Sequence, residues 1–306
     1  MTPTTGRIES PILVTGASGF LGDHLARRLL ADGYEVAGTY RTQPIVREGL
    51  VTRQVDLSDA DEVKKLLGEI QPRTIFHAAA ETNVATCQTH PDQARRAIVD
   101  ATRNLVDAIE KNNPQTALVM VSTDQVYDGE PPSGRTRYNE SDPALPLSTY
   151  GALKCEAEEI VHRLRHGAVV RSALIYGPPA THKQSFLAWM LGTLGRGEPI
   201  TLFEDEWRTP IHVDDLIDGL IAVAKHRLDG LWLAGGSEEL SRMMMGEIAC
   251  DLFGYSRSLL RPSRLCDSKY AAPRPAKVCL DSRRLEQQVG RAFRTFREGL
   301  ESIQAF

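Results

Sequence analysis

Residues 11–22 read Pro11-Ile12-Leu13-Val14-Thr15-Gly16-Ala17-Ser18-Gly19-Phe20-Leu21-Gly22. A short apolar run ends in a glycine-rich turn, and an amphipathic stretch over residues 21–31 follows. A strand, a glycine turn and a helix in that order let a backbone approach a pyrophosphate. Glycine has no Cβ to obstruct the approach, and the helix N-terminus offers unpaired N–H groups at the positive end of its dipole. Gly16, Gly19 and Gly22 are spaced G-x-x-G-x-x-G rather than the commoner G-x-G-x-x-G, so the strand–turn–helix setting carries the reading.

Outward from that turn, apolar runs alternate with amphipathic segments. Residues 12–14, 35–40, 53–57, 74–79, 117–122 and 168–173 read as strands, and 21–31, 60–70, 94–111 and 149–165 as helices. In the third helix Ile98, Ala101, Leu105 and Ile109 form one stripe at helical spacing, a candidate surface for a homodimer. This alternation predicts an α/β fold, a doubly wound parallel sheet of the Rossmann type. Beyond Gly177 the rhythm is broken by Pro178, Pro179, Gly192, Gly195, Gly197 and Pro199. The expected division is a dinucleotide-binding domain over 10–177, with 211–233 returning to it. A smaller C-terminal substrate lobe is expected from 178–210 and 234–306, and residues 211–225 are expected to be helical.

The second informative stretch is Tyr150-Gly151-Ala152-Leu153-Lys154, preceded by Ser122-Thr123-Asp124 at the end of a predicted strand. Tyr150 and Lys154 lie four residues apart and share a helix face. An unperturbed tyrosine titrates near pH ~10, and a neighbouring ammonium lowers that value by stabilising the phenolate. Thr123 adds a hydroxyl at the carboxyl end of a parallel strand, where open α/β sheets place their sites. The pair of motifs points to proton delivery to a carbonyl beside a dinucleotide. The second strand ends Gly38-Thr39-Tyr40-Arg41, with no acidic residue to accept from a ribose 2′-hydroxyl; Arg41 suits a 2′-phosphate and favours NADPH over NADH.

Composition bounds the alternatives. The 306 residues carry a net charge of -4, with 25% charged and 42% hydrophobic residues, a profile with no pull toward nucleic acid or membrane. No run approaches the ~20 apolar residues of a membrane span. Met1–Ser10 is polar and is not read as a secretory signal. Cys87, Cys155, Cys250, Cys266 and Cys279 contain no C-x-x-C, which fits free thiols in the cytoplasm rather than disulfides or a zinc site.

With these motifs in view, the chain resembles the extended short-chain dehydrogenase/reductases over residues 12–285, and among them the dTDP-4-dehydrorhamnose reductase family. The matching stretches are Ser122-Thr123-Asp124-Gln125-Val126-Tyr127-Asp128-Gly129, Tyr150-Gly151-x-x-Lys154, Val170 to Gly177, Arg208-Thr209-Pro210 and Arg274-Pro275. The resemblance implies NADPH-dependent reduction of a 4-keto group on a nucleotide sugar, dTDP-4-dehydro-L-rhamnose to dTDP-L-rhamnose. It casts Tyr150 as proton donor, Lys154 as the holder of the nicotinamide ribose, and Thr123 as a hydrogen-bond donor to the substrate oxygen. Ser18, Phe20 and Leu21 then join the glycines at the cofactor, Asp56 and Leu57 approach the adenine, and Ala78, Ala79 and Ala80 line the nicotinamide half. Asp124, Gln125, Leu174, Arg208 and Arg274 fall to the substrate, the two arginines on its diphosphate and base. Gln125 stands where the family commonly has Tyr, and Leu174 where it has Trp. The implied chemistry is therefore firmer than the implied sugar, and another sugar nucleotide or a small ketone is the alternative substrate. The regulatory β subunit of methionine adenosyltransferase resembles the same family, so a non-catalytic NADP-binding subunit is the rival reading.

Weaker signals are read as structural. His162 and His166, four apart, belong to a solvated helix face with no third ligand, so no metal is expected. Asp214, Asp215 and Asp218 are expected to cap a helix. His212 is taken as structural and Met243–Met245 as filler. Trp189 and Trp207 either wall the substrate pocket or pack within the lobe.

Overall fold

Seven segments rich in β-branched and aliphatic residues pair into one parallel sheet. They are β1 (Ile12–Thr15), β2 (Val36–Tyr40), β3 (Leu50–Gln54), β4 (Thr74–His77), β5 (Ala117–Thr123), β6 (Gly167–Ser172) and a last strand, Gly230–Ala234. The computed structural model describes residues 6–179, 185–267 and 272–304; Met1–Thr5 of the polar N-terminal run lie outside them. Across the sheet the order is Gly230–Ala234, β6, β5, β4, β1, β2, β3. The order reverses between β1 and β4, which opens a crevice at their carboxyl ends. This is the doubly wound sheet that the alternating pattern predicts.

The connections are α1 (Phe20–Ala31), α2 (Ala60–Ile70), α3 (Val84–Thr89), α4 (Pro91–Arg95), α5 (Ala101–Asn112), α6 (Thr149–Val161), α7 (Phe186–Gly195), α8 (Val213–Lys225), α9 (Arg242–Phe253), α10 (Arg283–Val289) and α11 (Phe296–Gln304). On one face of the sheet Leu25 and Leu29 of α1 share a core with Leu216 and Leu220 of α8, and Leu285 and Phe293 join them. On the other face Val63, Leu66, Leu105, Ile109, Ala157 and Val161 from α2, α5 and α6 pack together. A third core lies under α9, where Met245, Ala249 and Cys250 meet Leu187, Met190, Ile200, Leu202 and Leu260; Met243 and Met244 are packed at its margin. Among the described residues no helix is long and apolar enough to cross a membrane.

Four local expectations are corrected. The helix expected over 94–111 is interrupted: α4 runs into a π turn at Arg96–Asp100 before α5 begins. From the first turn of α5 the Thr102 hydroxyl donates back to the Ile98 carbonyl of the π turn at 2.6 Å. The stripe of Ile98, Ala101, Leu105 and Ile109 is no more than 2% exposed. It serves this chain's own core and is closed to a second copy. β3 comes three residues early, because it is an edge strand whose Val51 is 46% exposed and so lacks a clean apolar signature. Finally α6 stops at Val161, so His162 and His166 sit in the turn beyond it and not on a helix face. Gly167 makes that turn possible, since a Cβ there would lie 2.3 Å from the Val161 carbonyl oxygen.

Leu105 is fully buried between the sheet and its covering helices. Leu105→Ala should lower the unfolding free energy by about 2–5 kcal/mol, the range for a truncated core leucine. Urea denaturation at neutral pH checks this.

Candidate active site

The turn after β1 hangs from β2. The Gly16 N–H donates to Thr39 Oγ1 at 3.3 Å, and the Ala17 N–H to the Thr39 carbonyl at 2.8 Å. Gly16 has φ +69°, and a Cβ on it would lie 2.8 Å from Ala79 Cα. A Cβ on Gly22 would lie 2.2 Å from the Gly16 carbonyl oxygen. Turn and helix can close on each other only as glycine, which explains the two outer glycines of the motif. Gly19 caps α1 without a side-chain bond, whereas Asp59, Asn83, Ser148, Ser185 and Ser241 each accept from the first turn of their own helices. The first-turn N–H groups of α1 are left to an anion, so this cradle fits the pyrophosphate of a dinucleotide.

The cradle opens into a cavity of about 540 Å³ along the carboxyl ends of the strands. Gly16, Ser18, Gly19, Phe20, Leu21, Gly22, Arg41, Asp56, Leu57, Ala78, Ala79, Ala80, Thr123, Asp124, Gln125, Tyr150, Lys154, Leu174 and Arg208 all line it. Arg41 is exposed at the β2 end. Two hydrogen bonds from Ser58, with the charges of Arg41 and Arg96 adding, hold the Asp56 carboxyl below its usual range. Arg274, Trp189 and Trp207 stay off the wall. Trp189 is 42% exposed, and Trp207 lies under the Lys277 ammonium.

At the middle of the cavity α6 brings Tyr150 and Lys154 against the end of β5. Ser148 caps α6 by accepting from the Gly151 N–H at 3.2 Å. A Cβ on Gly151 would lie 2.3 Å from the Gln125 carbonyl oxygen, so the glycine after Tyr150 is what lets the helix seat there. Lys154 Nζ donates to the Val121 carbonyl at 2.8 Å, and burial draws its pKa down to about 8. The Tyr150 hydroxyl goes the other way from the sequence expectation. Burial pushes it up, with the carboxylates of Asp124 and Glu81 adding, although a hydrogen bond with Thr123 opposes this. Tyr150 therefore holds its proton at neutral pH, the state a proton donor needs.

The far end of the cavity is ionic. Glu206, 2% exposed, is surrounded by Arg208 at 3.0 Å, Arg242 at 3.1 Å and Arg274 at 3.7 Å. Arg208 reaches the wall, but its guanidinium is committed to the chain: Nη1 donates to the Trp207 carbonyl at 2.7 Å and Nη2 to the Pro275 carbonyl at 3.1 Å. Arg242, which sequence reasoning passed over, lines the cavity, and its Nη1 is buried with no hydrogen-bond partner among the described residues. Asp124 Oδ2 is in the same condition, and burial raises the Asp124 carboxyl. Glu81, Thr82, Ala97 and Ala101 were also missed. The signal for Arg242 is its place directly after the helix-capping Ser241; Ala97 and Ala101 are small residues facing the cavity beside the π turn. Asp214, Asp215 and Asp218 lie away from it. His212 caps α8, while Asp215 is fully buried against Arg291 at 2.8 Å and Asp218 shares that arginine. Among the described residues no group of three or more His, Cys, Asp or Glu is arranged to hold a metal.

Residues 10–305 match the family model described as the RmlD substrate binding domain. The chain is 27% identical over 295 residues to the probable low-salt glycan biosynthesis reductase Agl14 of Haloferax volcanii, spanning 95% of this chain and 96% of that protein. It is 32% identical to methionine adenosyltransferase 2 subunit beta of Bos taurus, over 96% of this chain and 87% of that one. The crystal structure of dTDP-4-dehydrorhamnose reductase from Bacillus anthracis in complex with NADP shares the fold, with a TM-score of 0.82 at 24% identity, over 96% of this chain and 98% of that one.

Beneath the cradle His77 bridges Thr15 Oγ1 at 2.8 Å and Thr102 Oγ1 at 3.1 Å, and Thr15 Oγ1 accepts from the Ala79 N–H at 3.3 Å. Complete burial, with the Lys154 charge adding, draws the His77 pKa to about 3. The folded chain then binds fewer protons than the unfolded chain between pH ~6.5 and 3, so stability falls as pH drops through that window. The expected contribution is at most roughly 1.4 kcal/mol per pH unit. His77→Asn should flatten the decline between pH 6.5 and 4, measured by urea titration at stepped pH.

Proposed function

The chain belongs to the RmlD substrate binding domain family, and from that premise we propose that it is an NADPH-dependent oxidoreductase that reduces the 4-keto group of a nucleotide-activated deoxysugar, dTDP-4-dehydro-L-rhamnose to dTDP-L-rhamnose, in the cytoplasm. The observation that carries the reading is one cavity joining an uncapped glycine cradle to Thr123, Tyr150 and Lys154. Gly16, Gly19 and Gly22 hold the pyrophosphate, Arg41 the 2′-phosphate, and Ala78–Ala80 border the nicotinamide half. NADPH, when bound, supplies the hydride that reduces the carbonyl carbon. Tyr150 gives its proton to the carbonyl oxygen, and Thr123 donates a hydrogen bond to the same atom. The Lys154 ammonium makes the resulting phenolate less costly. At the ionic end, Arg242 Nη1 and Asp124 Oδ2 have no hydrogen-bond partner among the described residues, although Asp124 lies 3.5 Å from the Arg208 guanidinium, and this suits a substrate dense in hydroxyl and phosphate oxygens. Gln125 and Leu174 open the possibility of a different sugar nucleotide or a small ketone, which a substrate panel separates.

A second reading is favoured by the 32% identity to the methionine adenosyltransferase subunit. A regulatory role predicts tight NADP binding without turnover and stoichiometric association with a methionine adenosyltransferase.

Three outcomes are expected from NADPH oxidation followed by absorbance with dTDP-4-dehydro-L-rhamnose. Tyr150→Phe should lower kcat roughly 10²–10⁴-fold, the share of a general acid; normal turnover by the variant contradicts the mechanism. Arg41→Ala should raise KM for NADPH by about tenfold or more and leave KM for NADH nearly unchanged, as loss of a charge-assisted contact requires. Activity should fall as pH rises through about 8, where Lys154 loses its proton.

A further inference from the structure

One turn beyond Lys154, α6 carries a third buried polar group on the same face. Tyr150, Lys154 and Glu158 follow at four-residue steps and are 7%, 3% and 3% exposed. Each is tied to the last residues of β5. Tyr150 bonds with Thr123, Lys154 Nζ donates to the Val121 carbonyl, and the Ser122 hydroxyl donates to the Glu158 carboxylate. Arg171, the β6 neighbour of Ser122 in register, grips the same carboxylate through Nη2 at 2.6 Å and Nε at 3.1 Å. Its Nη1 donates to Tyr127 Oη at 2.9 Å, and its guanidinium lies 5.0 Å over the Tyr127 ring. The carboxylate is therefore held by two side chains, Ser122 on one oxygen and Arg171 across both.

A buried pair of this kind adds little stability over well-packed apolar residues. Its charge nevertheless falls one helical turn from a lysine that the proposed reaction needs as an ammonium. The other groups around Lys154 offer no such support: His77 from β4 is neutral, Tyr150 keeps its proton, and Arg171 from β6 has the same sign. Asp124, at the end of β5, faces Arg208. Burial draws Lys154 down, and Glu158 is the group that acts against it.

We infer that Glu158, locked in place by Arg171 and Ser122, is a positioning residue that keeps Lys154 an ammonium beside Tyr150 at neutral pH. The inference rests on the proposed reduction for its activity readout only. Glu158→Gln preserves shape and removes the charge. The test follows competitive acylation of Lys154 by acetic anhydride across pH 6–10, quantified by mass spectrometry on the full-length chain, with NADPH oxidation measured in parallel. The midpoint of Lys154 reactivity should move down from about 8 by about one pH unit, a roughly fivefold gain in neutral amine at pH 7, and the alkaline limb of activity should move with it. Glu158→Asp, which keeps the charge, should restore the original midpoint. If Glu158→Gln does not fold, the double variant Glu158→Gln, Arg171→Gln leaves no unpaired buried charge and should still move the midpoint down, by less, because the like charge of Arg171 is removed as well. An unchanged midpoint in a folded variant, with only a lower Tm, overturns the inference and makes the pair purely structural. A wild-type chain that reduces no ketone refutes the proposed function, while the acylation profile still decides the role of Glu158.

Discussion

The closest constraint on the site is the seating of α6 on the turn after β5. Gly151 passes the Gln125 carbonyl with no room for a Cβ, and the Ser148 cap fixes where the helix starts. Given that contact, helical periodicity alone carries Tyr150, Lys154 and Glu158 down one face toward Thr123, Val121 and Ser122. The cofactor cradle is built by the same means. Gly16 and Gly22 close a turn on a helix end, and Gly38 lets β2 come against Ala17, where a Cβ would sit 2.7 Å from the alanine methyl. Backbone close approach, fixed by glycine, sets the distances on which the chemistry depends.

Burial then sets the protonation states. Tyr150 keeps its proton because it is buried, Lys154 titrates near 8 for the same reason, and His77 stays neutral between two threonines. The opposite end of the cavity resolves its charges differently. Glu206 is shared by three arginines, and Asp124 lies within reach of one of them. A charged end beside a middle that carries the Thr123 and Tyr150 hydroxyls discriminates among polar ligands by the groups it leaves without hydrogen bonds.

Local features were legible in the sequence. Strand, turn and helix after Ile12, the alternation that gives the parallel sheet, and the Tyr150–Lys154 spacing depend on neighbours a few residues apart. What was illegible depends on tertiary packing. Nothing near Arg242 reveals that it meets Glu206 from α9, and nothing near Arg208 reveals that backbone carbonyls of Trp207 and Pro275 occupy its fork. The stripe on α5 is apolar whether it faces a core or a partner, and only the sheet beneath it decides. The π turn at Arg96–Asp100 keeps a helical pattern while changing its winding, so periodicity could not separate it from an unbroken helix. The downward shift expected for Tyr150 took no account of its burial, a tertiary property that pushes the phenol up.

In the proposed reaction a hydride passes to the C4 carbonyl of a nucleotide sugar. The most direct test supplies NADPH deuterated at nicotinamide C4, using each stereospecifically labelled form in turn, with dTDP-4-dehydro-L-rhamnose, and locates the label by mass spectrometry and NMR. Deuterium is expected at C4 of the product deoxysugar from one labelled form and none from the other. NADPH held tightly with no label in any sugar would contradict it and favour a binding protein in its place.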